Sequence, residues 1–211
     1  MGHRIKIIKN FVEPEDAARM ISLIDAGPRI PFIDNPHPSI SVLSENHSES
    51  QMILKKYSDK ILDVHREEFG WAPPLYTTQC HASLWAAGAW AGGHTDSHTD
   101  SEHIIFSSVI YLGGEFTGGD IVFPNHNMRY HPEPLSAAIF PSGGWEYLHE
   151  VEMVTSGRRY TMPMWHTGDK RMAYHRGTGN NFLSDLWGNQ RIAAVIAHDS
   201  VCAIEGGQNV G

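Results

Sequence analysis

The sequence has 211 residues and a formal net charge of −8 at pH 7, with 41% hydrophobic and 19% charged residues. This length suits one domain with a sizeable core, and the composition is typical of globular rather than disordered chains. The negative charge argues against broad nucleic-acid binding, because no basic stripe offsets it.

The cysteines and the apolar runs restrict the compartment. Two cysteines, Cys80 and Cys202, do not make a disulfide framework. The first residues lack the apolar core of a signal peptide, and no apolar run approaches the length of a transmembrane helix. We therefore expect a soluble cytoplasmic protein with no membrane partner.

The N-terminal third alternates between one strand and two helices. A short β-branched run predicts a strand over 4–10, and proline followed by acidic residues predicts a helix that starts within 11–16 and ends at Gly27. Four prolines make 28–47 a long irregular connection. Apolar residues at helical spacing predict a second helix over 48–69.

From residue 77 onward, short β-like runs are separated by Gly, Pro, Asn and Asp. The runs cover 79–86, 104–112, 119–123, 136–140, 149–154 and 159–165. Many short strands after N-terminal helices predict an α+β fold. Its core would be a double-stranded β-helix, that is a jelly roll of the cupin type, with the helices packed on one sheet.

We predict a single domain over 1–211. Residues 1–78 would be its N-terminal strand and helical support, residues 79–166 its jelly-roll core, and residues 167–211 a C-terminal extension. The extension is rich in Gly and Asn and has one apolar run, 192–196, to which no structure is assigned.

A possible metal site centres on Gly92-Gly93-His94-Thr95-Asp96. A His-X-Asp pair on a turn offers an imidazole nitrogen and a carboxylate oxygen to one point, and the glycines would let the backbone turn tightly there. His149 could supply a second imidazole. Two histidines and one carboxylate leave the opposite coordination positions open, which favours non-haem Fe(II) over structural zinc.

The motif alone is weak evidence for a metal site. The chain has 14 histidines, and Ser97-His98-Thr99-Asp100 repeats the His-X-Asp pattern four residues further on. At most one of the two copies would bind metal, and the pattern itself leaves both open.

Several landmarks follow one another in a fixed order. They are Trp85 and Gly88 before His94, then Tyr111-Leu112, Gly118-Gly119, Phe123-Pro124, Phe140-Pro141-Ser142, His149-Glu150-Val151, Gly157-Arg158-Arg159-Tyr160 and Trp165. In this order and spacing, residues 79–166 resemble the prolyl 4-hydroxylase-like branch of the Fe(II)/2-oxoglutarate dioxygenases. The upstream aromatic and glycine are in register with His94 rather than His98. The resemblance thus implies that His94, Asp96 and His149 are the metal ligands and catalytic centre.

The resemblance also implies a binding site for 2-oxoglutarate. In this family an Arg nine or ten positions after the distal His pairs the far carboxylate of 2-oxoglutarate, and a guanidinium can pair both oxygens at once. Arg158 and Arg159 both satisfy that spacing, and Arg159 is preferred because it directly precedes Tyr160. Strand alternation sends the two arginines to opposite faces. Tyr111 would donate its hydroxyl to the same carboxylate, or else pack as a core aromatic.

The implied function is hydroxylation of an unactivated C–H bond with Fe(II), 2-oxoglutarate and O2. The related halogenases lack the carboxylate ligand, so Asp96 favours hydroxylation, with desaturation or ring formation still open. The substrate would be proline or another amino acid, free or in a peptide. Two alternatives remain: a cupin-like metal-dependent oxygenase or isomerase that does not use 2-oxoglutarate, and a non-catalytic jelly-roll binding module. The oligomeric state is left open.

Overall fold

The computed structural model describes residues 5–31, 39–43, 48–99 and 101–173. All of them lie in one compact unit, Met1–Tyr174. The apolar run 192–196, Cys202, Asp100 and most of the predicted C-terminal extension fall outside the described residues.

Two helices and thirteen strands make up the described part of the chain. The helices are α1 (Pro14–Ala26) and α2 (Ser48–Glu68). The strands are β1 (Lys6–Ile8), β2 (Arg29–Pro31), β3 (Ile40–Leu43), β4 (Tyr76–Cys80), β5 (Ser83–Ala86), β6 (Ala91–His94), β7 (Ile104–Gly113), β8 (Phe116–Gly118), β9 (Ile121–Phe123), β10 (Met128–Tyr130), β11 (Ser136–Pro141), β12 (His149–Val151) and β13 (Val154–Thr167). Short 3-10 turns lie at Pro124–His126, Trp145–Tyr147 and Lys170–Met172.

The strands form two antiparallel sheets. The larger sheet has the order β1-β11-β7-β13-β5-β3-β2, with β4 and β8 also paired to β13. The smaller sheet has the order β10-β9-β12-β6. Two such sheets with two supporting helices confirm the predicted α+β fold with a double-stranded β-helix core.

The two helices share their core with the larger sheet. Apolar side chains of α1 and α2 join those of β5, β7, β11 and β13 in one buried cluster. A second cluster contains Ile121 and Phe123 of the smaller sheet and Phe140 of the larger one, so it joins the two sheets. No helix among the described residues is both long and apolar enough to cross a bilayer.

Two local expectations were wrong. The connection 28–47 is not wholly irregular, because β2 and β3 pair in antiparallel fashion at the end of the larger sheet. A sheet edge tolerates Pro31, which lacks a backbone N–H. Gly92 and Gly93 do not make a tight turn, because both lie in the extended strand β6 and neither has a positive φ.

Candidate active site

His94 and His149 are directly opposite each other across the β6–β12 ladder. They are paired Cα partners, and their ring centroids are 4.4 Å apart. The ladder shifts register immediately after His149. Two imidazoles separated by 55 positions in the chain thus come together at the end of the smaller sheet.

Each imidazole is oriented by a backbone carbonyl through Nδ1. His94 Nδ1 lies 2.7 Å from the Gly92 carbonyl oxygen, and His149 Nδ1 lies 3.1 Å from that of Tyr147. Because a carbonyl can only accept, Nδ1 carries the proton in both rings. Nε2 is then the unprotonated nitrogen that can bind a metal, and such outer contacts are usual for histidine ligands.

Asp96 completes the group. Its carboxylate oxygens lie 3.6 Å from His94 Nε2 and 3.8 Å from His149 Nε2. One ligand atom from each of the three residues lies within 4.8 Å of the others, and this is the only such trio among the described residues. Burial lowers the pKa of His149, although Asp96 opposes the shift, so the ring is held neutral as a metal ligand requires.

The loop after Asp96 is held by hydrogen bonds from serines that no sequence motif singles out. Ser101 Oγ donates to the Asp96 carbonyl at 2.7 Å and accepts from the His98 N–H at 3.0 Å. Ser97 N–H donates to the carbonyl of the buried Ser142 at 3.0 Å. The second His-X-Asp copy therefore begins on a turn that holds Asp96 in place, and His98 itself is exposed.

Arg159 is a buried cation without an ionic partner of its own. It is 2% exposed, and its Nε has no hydrogen-bond partner in the described chain. Its guanidinium carbon lies 5.1 Å from the centre of the Trp85 ring, although Trp85 alone would be taken for a packing residue. The acid that influences it, Asp120, is already bonded to His131 at 2.6 Å.

Tyr111 lies beside this guanidinium. The Tyr111 ring centre is 5.0 Å from the guanidinium carbon, and its buried hydroxyl makes no well-aligned hydrogen bond within the described residues. Burial raises the pKa of Tyr111 to about 12, although the charge of Arg159 opposes the rise. The hydroxyl thus remains a proton donor at neutral pH, and within the described residues neither this hydroxyl nor Arg159 Nε has a well-aligned acceptor.

Such a pair fits a ligand carboxylate. Burying an unpaired charge is costly, and the cost is relieved when an anion with several acceptor oxygens binds. Burial also lowers the pKa of the Arg159 guanidinium, which reflects the same penalty. The residues present therefore suit the far carboxylate of 2-oxoglutarate.

Arg158 lies in a different environment. Its side chain is 59% exposed and pairs with Asp25 at 3.1 Å. Tyr160 Oη also donates to Asp25, at 2.9 Å. Alternation along β13 thus separates the two arginines, as their adjacent positions predict.

Gly119 packs directly against the Arg159 side chain. Its φ is +68°, and a Cβ added there would lie 3.2 Å from Arg159 Cδ and 3.1 Å from Val154 Cγ2. A side chain at this position would push on the stem of the arginine. The Gly-Gly landmark is therefore part of the arginine pocket.

Comparison with known proteins identifies the segment that carries these residues. The family model described as the 2OG-Fe(II) oxygenase superfamily matches residues 79–167. Prolyl 3-hydroxylase 3 of Mus musculus is 37% identical over 67 residues, which are 29% of this chain and 9% of that protein. The chain thus matches only a small part of this curated relative.

Solved structures share the fold at low sequence identity. A 2OG-Fe(II) oxygenase family oxidoreductase from Burkholderia pseudomallei has a TM-score of 0.65 at 19% identity, covering 79% of this chain and 85% of its own. The viral collagen prolyl hydroxylase of Paramecium Bursaria Chlorella virus-1, in its 2OG complex, has a TM-score of 0.63 at 16% identity, covering 78% and 96%. These likenesses show a common fold for almost four fifths of the chain.

Proposed function

We propose that the protein is an Fe(II)- and 2-oxoglutarate-dependent hydroxylase acting on proline or another amino acid, free or within a peptide, and the match of residues 79–167 to the 2OG-Fe(II) oxygenase superfamily supports this proposal. The observation that carries the proposal is the pairing of a His-Asp-His trio with a buried arginine whose Nε has no hydrogen-bond partner within the described residues. The trio alone suits several metalloenzymes, and Arg159 adds the requirement for a dianionic co-substrate.

The metal would be held by Nε2 of His94, Nε2 of His149 and the Asp96 carboxylate. Fe(II) and 2-oxoglutarate together supply the oxidising power of this family, in which one oxygen atom of O2 enters the substrate C–H bond and the other enters succinate as CO2 is lost. The protein fixes the three ligands on one side and leaves the other side open for chemistry. The two backbone carbonyls hold both rings in their metal-binding tautomer.

Arg159 and Tyr111 orient 2-oxoglutarate. A guanidinium can pair both oxygens of the far carboxylate, and the Tyr111 hydroxyl can donate to the same group. Both side chains are buried, so water does not compete for that carboxylate. Holding this end of 2-oxoglutarate in one place would limit the orientations that its other end can take.

A cupin-like enzyme that does not use 2-oxoglutarate would not need the buried Arg159. A binding module without metal would not need two imidazoles whose Nε2 atoms lie beside one carboxylate. The prolyl 3-hydroxylase match and the prolyl hydroxylase fold likeness support an amino-acid or peptidyl substrate.

Anaerobic titration with Fe(II) and 2-oxoglutarate tests the proposal. We expect the weak visible charge-transfer band of the chelate in the wild type and in His98→Ala, and its loss in His94→Ala. His98→Ala is the matched control because it removes the histidine of the second motif copy. A wild type that binds metal without the band would support the cupin-like alternative, and a wild type that binds no metal would support the binding module.

A further inference from the structure

Strand β6 is an open edge beside the metal trio. It is the last strand of the smaller sheet and, within the described chain, pairs only with β12. Three of its four residues, Gly92, Gly93 and His94, are exposed. An edge strand presents a row of backbone N–H and C=O groups that can pair with another extended chain.

One face of this edge joins an exposed tryptophan to a metal ligand. Trp90 is 46% exposed, and a Cβ added to Gly92 would lie 3.3 Å from its ring. A Cβ on Gly93 would instead point to the Leu148 side chain. This alternation places Trp90, Gly92 and His94 on the same face, with about 13 Å of strand between the tryptophan and the ligand.

The sequence around the metal trio is rich in acidic residues and poor in basic ones. Between Arg66 and Arg158 there are eleven Asp and Glu residues and one Lys or Arg, Arg129. Arg129 is itself engaged by Asp120 and Glu152. The strands that carry the metal trio therefore offer no free cation to an acidic peptide, and their charge complements a basic one.

We propose that the substrate is an extended basic peptide that adds as a strand along β6. The residue to be oxidised would lie opposite His94, and a Lys or Arg four residues away would lie over the Trp90 ring as a cation–π contact. Because Gly92 has no side chain, the Trp90 ring can lie against the strand between the two positions. This inference rests on the proposed function. It narrows the substrate from a free or peptidyl amino acid to a peptide that carries a Lys or Arg four residues from the oxidised residue.

The test uses thirteen-residue Ser/Thr peptides with one central Pro, labelled with fluorescein and measured by anisotropy with the full chain. One Lys is placed two, four or five residues from the Pro on either side, and a Glu replaces it in matched peptides. We expect the four-residue Lys peptide to bind about tenfold more tightly than its Glu counterpart. Unlabelled free proline should compete poorly.

Trp90→Ala should remove the preference for Lys at four residues, whereas Trp90→Phe should retain part of it. Trp145→Ala is the matched control, because Trp145 is 74% exposed but lies outside β6. Equal binding of all peptides, an equal loss in Trp145→Ala, or turnover of free proline as fast as the best peptide would overturn the inference.

The binding measurement is independent of turnover. A wild type that gives the chelate band but binds the peptides without a Trp90-dependent preference would retain the proposed function and lose this inference. A wild type without the band that still binds the Lys peptide through Trp90 would retain the docking edge and lose the proposed oxygenase activity.

Discussion

His65 and His166 face each other inside the protein with ring centroids 5.2 Å apart, yet only one of them is hydrogen bonded. His166 Nδ1 lies 3.2 Å from Thr77 Oγ1, and its Nε2 lies 3.1 Å from Ser108 Oγ. Neither ring nitrogen of His65 has a hydrogen-bond partner within the described residues, although the side chain is fully buried against Phe106.

This difference in hydrogen bonding predicts that replacing each histidine with phenylalanine has opposite effects on stability. His65→Phe should raise the free energy of unfolding by about 1 kcal/mol, because a buried polar group without a partner is replaced by an apolar ring. His166→Phe should lower it by about 2 kcal/mol, because Thr77 and Ser108 each lose a partner. Urea denaturation at neutral pH measures both, and a destabilised His65→Phe would show that the ring is hydrogen bonded in solution.

Acid should destabilise the fold through its buried neutral histidines. Burial lowers the pKa of His65 and of His81 to about 4, and that of His166 well below its ordinary value. Below about pH 6.5 the unfolded chain takes up protons that the folded chain does not, so the stability present above this pH is lost as the pH falls toward 4. His65 and His81 should each cost about 2 kcal/mol between pH 7 and pH 5.

Urea denaturation at pH 7, 6 and 5 measures that loss. His65→Phe provides the internal comparison, because it removes one of the titrating groups. Below pH 6, the number of protons taken up on unfolding, which sets the slope of the free energy of unfolding against pH, should be smaller by about one in this variant. An unchanged slope in this variant would mean that His65 already titrates normally in the folded protein.

The candidate metal ligands could be predicted because they lie in short segments with a distinctive order. His94, Asp96 and Arg159 each have neighbours that set their register, and the fold brings the ligand atoms of His94, Asp96 and His149 within 4.8 Å of one another. Periodicity was less reliable in α2, because Met52 is one of the apolar residues at helical spacing within 48–69 and yet is 60% exposed. His65, which the same pattern treats as polar, is buried, because packing against β7 and β13 decides its environment.

Contacts between distant segments could not be predicted. Strand β6 contains two glycines and has little intrinsic β propensity, so it becomes a strand only because β12 pairs with it. The contact of Gly119 with Arg159 joins β-strand regions 40 positions apart. The sequence shows the pair Gly118-Gly119, but it does not show which side chain a Cβ at Gly119 would contact.

Arg159→Met should separate co-substrate binding from stability. The apparent affinity for 2-oxoglutarate should fall by at least about 30-fold, because the one arginine or lysine that is buried among the described residues is lost. Without 2-oxoglutarate the free energy of unfolding should not decrease, because an apolar chain replaces a buried charge that lacks an ionic partner. Titration of the charge-transfer band and thermal unfolding measure the two quantities.

Arg158→Met is the control for that variant. It removes the same charge at the adjacent position, but from an exposed pair with Asp25. Its affinity for 2-oxoglutarate should remain within about twofold of the wild type, since an exposed charge contributes little at that distance. Equal losses in the two variants would exclude Arg159 as the specific partner of the carboxylate.

Gly119→Ala and Gly70→Ala form a second matched pair. Both glycines have positive φ, +68° and +61°, so alanine should cost about 1–2 kcal/mol of backbone strain at either position. A Cβ at Gly70 meets nothing within 4 Å, whereas a Cβ at Gly119 presses on Arg159 Cδ and Val154. Only Gly119→Ala should therefore weaken 2-oxoglutarate binding, by about tenfold, because the guanidinium is displaced. Denaturation and the charge-transfer titration, run on both variants, distinguish strain from displacement. Equal 2-oxoglutarate affinities would mean that the arginine stem adapts to the added methyl group.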